Sequence, residues 1–129
     1  MGKKELKYGD NYPEQCPPKN AKEIDGIFYR FCSNPICEKD FKTHVDIGLS
    51  FPPKKLCEAK ALSFFDTIEE SNRYREKFPK RFNSKQLVKV HIDKDSGIGV
   101  LKKHHLNLWE YKNSNIFLNV SKNNKEMTS

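Results

Sequence analysis

The sequence predicts one small α+β domain, built on a mostly antiparallel sheet with a single clear helix. Its 129 residues are one domain's length. Strand-like stretches outnumber helical ones. A content of 9 Phe, 5 Tyr and 1 Trp supplies core material to a chain that is 36% hydrophobic and 32% charged, and argues against disorder.

Residues 1 to 23, with Pro13, Pro17 and Pro18, read as an irregular N-terminal arm. Asp25-Gly26 turns the chain into an aromatic strand, Gly26 to Cys32, which Ser33-Asn34-Pro35 breaks. Residues 38 to 56 show no sustained period, and Pro52-Pro53 forbids regular structure at that point, leaving a long connection. Ala61 to Phe65 is a short buried strand leading into Asp66-Thr67-Ile68-Glu69-Glu70. There Asp66 or Thr67 caps a helix and a glutamate three residues on completes the capping signature. Arg73, Arg75 and Lys77 suit the negative end of its dipole, and Pro79 stops it. Gln86 to Ile92 alternates and is β-branched; Asp93 to Gly97 turns, and Ile98 to Leu101 returns as a hairpin arm. His104 to Tyr111 and Ile116 to Val120 are two further strands. The domain therefore spans 24 to 120, with a disordered polar tail over 121 to 129.

Charge is placed unevenly. Ten of the 24 Lys and Arg fall between residues 72 and 103 against three acids, so this stretch carries the whole formal charge of +7. Such a segment fits an anionic partner, whether a nucleotide, a nucleic acid or an acidic protein, and Arg73, Arg75, Lys102 and Lys103 are its candidate phosphate contacts. A solvated lysine-rich surface of a low-GC bacterial genome accounts for the same residues. No apolar run approaches the roughly 20 residues of a membrane span. With no charged-then-apolar leader, the expected location is the cytoplasm, away from membranes.

Zinc requires two close pairs of thiolate or imidazole ligands. Only Cys32 and Cys37 are close, while His44, Cys57 and Cys16 are scattered. No metal is expected, Cys57 reads as a small apolar core residue, and without a leader no disulfide is expected. The segment around His105 is more informative. On a strand, Leu106 and Leu108 face the core while His105, Asn107 and Trp109 share the other face. Imidazole, amide and indole in a row form a ligand-reading strip, with Lys102 and Lys103 nearby for a phosphate; filler beneath a loop is the alternative. Arg30 is a lone charge in an apolar strand, so it needs an acid such as Glu58 or Glu110, or an anionic ligand.

The aromatic strand ending in Tyr29-Arg30, followed by Ala61-Leu62-Ser63-Phe64-Phe65-Asp66-Thr67-Ile68-Glu69-Glu70, resembles the first two motifs of ADP-ribosyltransferase-like domains, including small bacterial toxin-type members. The likeness covers about a third of the chain. It implies that Arg30 helps hold NAD and that Ser63 marks the strand-to-helix motif. The third motif, a catalytic Glu on a late strand, has no clear match, and Glu110 is the nearest candidate. The expectation is thus a nucleotide-binding domain acting on NAD as an ADP-ribosyl transferase, with His105 and Glu110 in chemistry and Arg30, Ser63, Asn107 and Trp109 on the cofactor. The alternative is a non-catalytic basic module for nucleic acid, or an accessory or immunity-type protein for an acidic partner.

Overall fold

The computed structural model describes residues 5–120. Six strands, β1 (Lys22–Glu23), β2 (Gly26–Cys32), β3 (Leu62–Phe65), β4 (Gln86–Ile92), β5 (Gly97–Lys102) and β6 (His105–Glu110), form one sheet in the order β1-β5-β6-β3-β2-β4. Every pairing is antiparallel. With the helices this is the expected α+β class. The period-2 pattern sets the inner face: Phe28 and Cys32, Leu62 and Phe64, Val88, Val90 and Ile92, and Leu106 with Leu108 form the core. Burying each such large side chain stabilises the fold by about 1.5–3 kcal/mol.

The expected helix is α2 (Ile68–Lys77), with Thr67 as its cap: Thr67 Oγ1 accepts the Glu70 N–H at 3.1 Å. Pro79 does not simply stop the chain but begins a further helical turn, α3 (Pro79–Phe82). The connection over 38 to 56 is more ordered than expected. It holds a 3-10 turn (Glu38–Phe41) and the start of helix α1 (Pro53–Ala59), because Pro53 sits at the helix start, where a missing N–H costs nothing. Ile116 to Val120, expected as a strand, is helical. Asn115 Oδ1 accepts the Leu118 N–H at 2.9 Å, and Ile116 and Val120, four apart, both turn into the core. The tail expected over 121 to 129 lies outside the described residues.

β4 and β5 do not pair as a hairpin. β5 pairs with β6 instead, in register from Gly97↔Glu110 to Lys102↔His105, so Lys103-His104 is a two-residue turn. Both turn residues have positive φ, 49° and 70°. That is a primed-turn geometry made without the usual Asn or Gly, so the sequence hid it. The chain leaves β4 through a tight turn, Ser96 N–H to Asp93 C=O at 3.0 Å, and begins β5 four strands away. Four strand spacings are about 19 Å in a flat sheet, against less than about 7 Å across such a turn. The sheet must therefore curl strongly.

Gly97 is needed where β5 begins. A Cβ there would lie 2.2 Å from Trp109 O and 2.9 Å from Glu110 Cα. Because both neighbours are backbone, Gly97→Ala should destabilise the domain by about 2–3 kcal/mol, read as a lower urea midpoint. An unchanged midpoint would show that this end of the β5–β6 ladder can yield.

The N-terminal segment is fastened to the body at several points. Leu6 bridges Tyr111, β1 pairs with β5, and Cys16 is disulfide-bonded to Cys57 in α1. Cys57 is therefore not a free core thiol, and the expectation of no disulfide is overturned. The pairing joins cysteines 41 residues apart, which spacing alone does not reveal. Among the described residues no cluster of His, Cys, Asp and Glu could hold a metal, and no helix is long and apolar enough to cross a membrane.

Candidate functional site

The sheet has a break. β2 and β4 share seven register pairs, but β2 and β3 share one, Tyr29↔Phe65. Arg30 fills the gap. Its Nε donates to Asp40 O at 2.8 Å and its Nη1 to Ser63 O at 2.7 Å, tying β2 to both the 3-10 turn and β3. The guanidinium lies over the rings of Phe64 and Phe41, at 5.7 and 5.9 Å from their centroids. Its partners are carbonyl oxygens, so neither Glu58 nor Glu110 pairs with it. Burial pulls its pKa below the ordinary arginine value, although it stays charged at neutral pH. Two bonds use two of its five N–H groups.

A cleft of about 290 Å³ opens at this break. Its floor is Arg30 and Phe31 of β2, Leu62, Ser63 and Phe65 of β3, and His105 of β6. One wall is Tyr74 of α2 with Arg81, Phe82 and Lys85; the other is Lys42, Thr43 and His44 with Glu58 of α1. Four lysine and arginine side chains thus face a single carboxylate, amid four aromatic rings. Such a cleft favours a ligand that is anionic in part and aromatic in part. His105 lies 5.7 Å from Phe65, ring to ring. Burial lowers its pKa below the usual histidine value while the charge of Glu58 works the other way, so the imidazole is mainly neutral at pH 7.

The Asp40 carboxylate braces the turn that holds Arg30. It accepts the Ser33 N–H and hydroxyl and the Cys37 N–H at 2.8–2.9 Å. Burial alone would raise its pKa, but these hydrogen bonds together hold it below the ordinary aspartate value.

The residues expected at a site divide into three groups. Arg30, Ser63 and His105 meet in the cleft. Asn107 pairs across from Ser63 on β6 but is not part of the lining. Trp109 is 2% exposed and donates its indole N–H to Cys57 O at 2.9 Å, so it packs beneath α1 with no face left for a base. The strip of three is therefore broken by the last member. Glu110 is also buried, on the opposite face of β6 from His105 and about 17 Å further along the strand. It faces a separate cavity with Lys7, 3.6 Å away, and receives the Ser114 hydroxyl at 3.3 Å; burial raises its pKa. His105 and Glu110 cannot act on one substrate atom.

The four candidate phosphate contacts are not equivalent either. Arg75 turns inward, stacked over Phe31 at 4.8 Å and bonded to Lys85 O. Arg73 pairs with Glu70 at 3.3 Å, while Lys102 and Lys103 are exposed at the β5–β6 turn. The cleft residues that sequence reasoning passed over are Lys42 and Thr43 of the supposed loop, with Arg81 and Lys85; His44 was weighed only as a metal ligand and Glu58 only as a partner for Arg30. Arg81 and Lys85 belong to the basic stretch already counted, and the recurrence of Tyr74, Phe78 and Phe82 every four residues was a visible signal. No family model, curated protein or solved structure matches the chain, so the site rests on its own geometry.

Proposed function

We propose that this domain binds a nucleotide in the cleft between β2 and β3, with NAD as the ligand and ADP-ribosyl transfer as the chemistry. One observation carries the reading. The two segments that resemble ADP-ribosyltransferase motifs, far apart in sequence, lie side by side at the cleft floor, where Tyr29 pairs with Phe65 and Arg30 Nη1 donates to Ser63 O. Around it, Lys42, Arg81 and Lys85 suit a pyrophosphate, and Phe65, Tyr74 and Phe82 suit an adenine or nicotinamide ring.

Cleaving the bond between ribose and nicotinamide builds positive charge on the sugar, which a carboxylate steadies. Glu58 is the carboxylate that the cleft offers, and it replaces Glu110 in that role. His105, neutral at pH 7, is then the group able to accept a proton from the incoming acceptor.

Calorimetric titration with NAD tests the reading. Saturable binding is expected, weakened about tenfold or more in Lys85→Gln, since a charge-assisted contact to phosphate is worth about 1.5–3 kcal/mol. Glu58→Gln should bind NAD as the parent does but lose turnover. No heat at millimolar NAD would overturn the assignment.

A further inference from the structure

The cleft does not end at its lining. An unbroken series of rings runs from its floor to the outer surface: His105 to Phe65 at 5.7 Å, Phe65 to Tyr74 at 5.1 Å, and Tyr74 to Phe78 at 4.9 Å. Phe82 joins from the side, 5.7 Å from Tyr74. Tyr74 is 37% exposed and Phe78 40%, although rings of that size ordinarily seek the core. Cations alternate with them. Lys77 lies 5.8 Å from the Phe78 centroid and Arg81 5.1 Å from that of Phe82, and Lys80 is exposed between them. From 74 to 85 the chain has five Lys and Arg and one acid, Glu76.

Exposed rings set among cations are what a single-stranded nucleic acid recognises: bases stack on the rings while phosphates meet the charges. A duplex hides its base faces and would leave the rings unused. An acidic protein would answer the charges and leave Tyr74 and Phe78 without a stacking partner. We propose that Tyr74, Phe78, Lys77, Lys80 and Arg81 form a docking platform for single-stranded nucleic acid that leads into the cleft. The proposal goes beyond the nucleotide reading. Phe78, Lys77 and Lys80 lie outside the cleft lining, so NAD binding and strand binding fail separately.

Fluorescence anisotropy with labelled oligo-dT and oligo-rU of about 12 nucleotides, and a duplex of equal length, tests it. Both single strands should bind more tightly than the duplex. Phe78→Ala should weaken binding about tenfold, within the range expected for one lost stack. Lys77→Gln with Lys80→Gln should flatten the salt slope by about 1.4, at roughly 0.7 per phosphate on a single strand. Should Phe78→Ala fold poorly, the exposed lysine pair carries the test alone. No binding at low salt, a duplex bound as tightly as the single strands, or an unchanged salt slope in the lysine variant would each overturn the proposal.

Discussion

Arg30→Ala is expected to destabilise the domain by about 3–5 kcal/mol and to abolish the proposed nucleotide binding. The guanidinium is the main polar link across a gap that strand pairing leaves open, since β2 and β3 share only Tyr29↔Phe65. Its removal strands two carbonyls, Asp40 O and Ser63 O, each costing about 1–3 kcal/mol when left unmet in a buried place. The stem's contacts with Phe41 and Phe64 are lost as well. Arg30→Lys separates the effects. It keeps the charge, but a single ammonium cannot reproduce the fork that reaches both carbonyls, so stability should recover only in part. Urea unfolding of the parent and the two variants, with calorimetry on those that fold, is the measurement. Equal midpoints for the parent and Arg30→Ala would mean that core packing alone holds the two halves of the sheet together.

Loss of the Cys16–Cys57 bond should cost about 4 kcal/mol, since it closes a loop of 41 residues. For a domain of this size that corresponds to a fall in Tm of about 10–20 °C. Two signals should accompany it. Trp109, whose indole bonds to Cys57 O, should report reduction through its fluorescence. On the proposed function, nucleotide affinity should also fall, because the wall that presents Lys42 is held to the N-terminal segment through Tyr8, which bonds Thr43 and Asp46. In the oxidised native protein one thiol should react readily, exposed Cys37. Buried Cys32, whose thiol burial pushes up to about 12, should stay inert. A Tm indifferent to reductant, and equal in the Cys16→Ser, Cys57→Ser double variant, would remove the cross-link from the account. A bond that millimolar glutathione reduces would need an oxidising compartment to persist.

The elements that could be read from sequence are those whose signals are local. β2 and β4 match the strands expected at Gly26 to Cys32 and Gln86 to Ile92, because β-branched and aromatic runs bounded by turn residues need no distant information. The cap at Thr67 was legible for the same reason: an N-cap and the N–H it accepts lie three residues apart. Ile116 to Val120 was not, since five apolar-rich residues fit a strand or a helix until something packs on them, and the choice fell to Asn115 and the core beneath. The β5–β6 turn was missed because Lys103 and His104 hold positive φ without the residues that usually announce it.

The candidate site divides in the same way. Alternation along β6 put His105 and Trp109 on one face, but which parts of that face meet solvent was decided by α1, which covers Trp109 through Cys57 O and leaves His105 open in the cleft beside Glu58. Residue chemistry was enough to establish the class of the domain, the oddity of Arg30 in an apolar strand and the concentration of positive charge in one stretch. Those properties follow from composition and from contacts a few residues long. Only tertiary structure decided that the sheet breaks beside Arg30, that Lys42, Glu58 and Lys85 converge there, and that Glu110 is shut away. These depend on strand order and curl, which join residues tens of positions apart and leave no periodic trace in the chain.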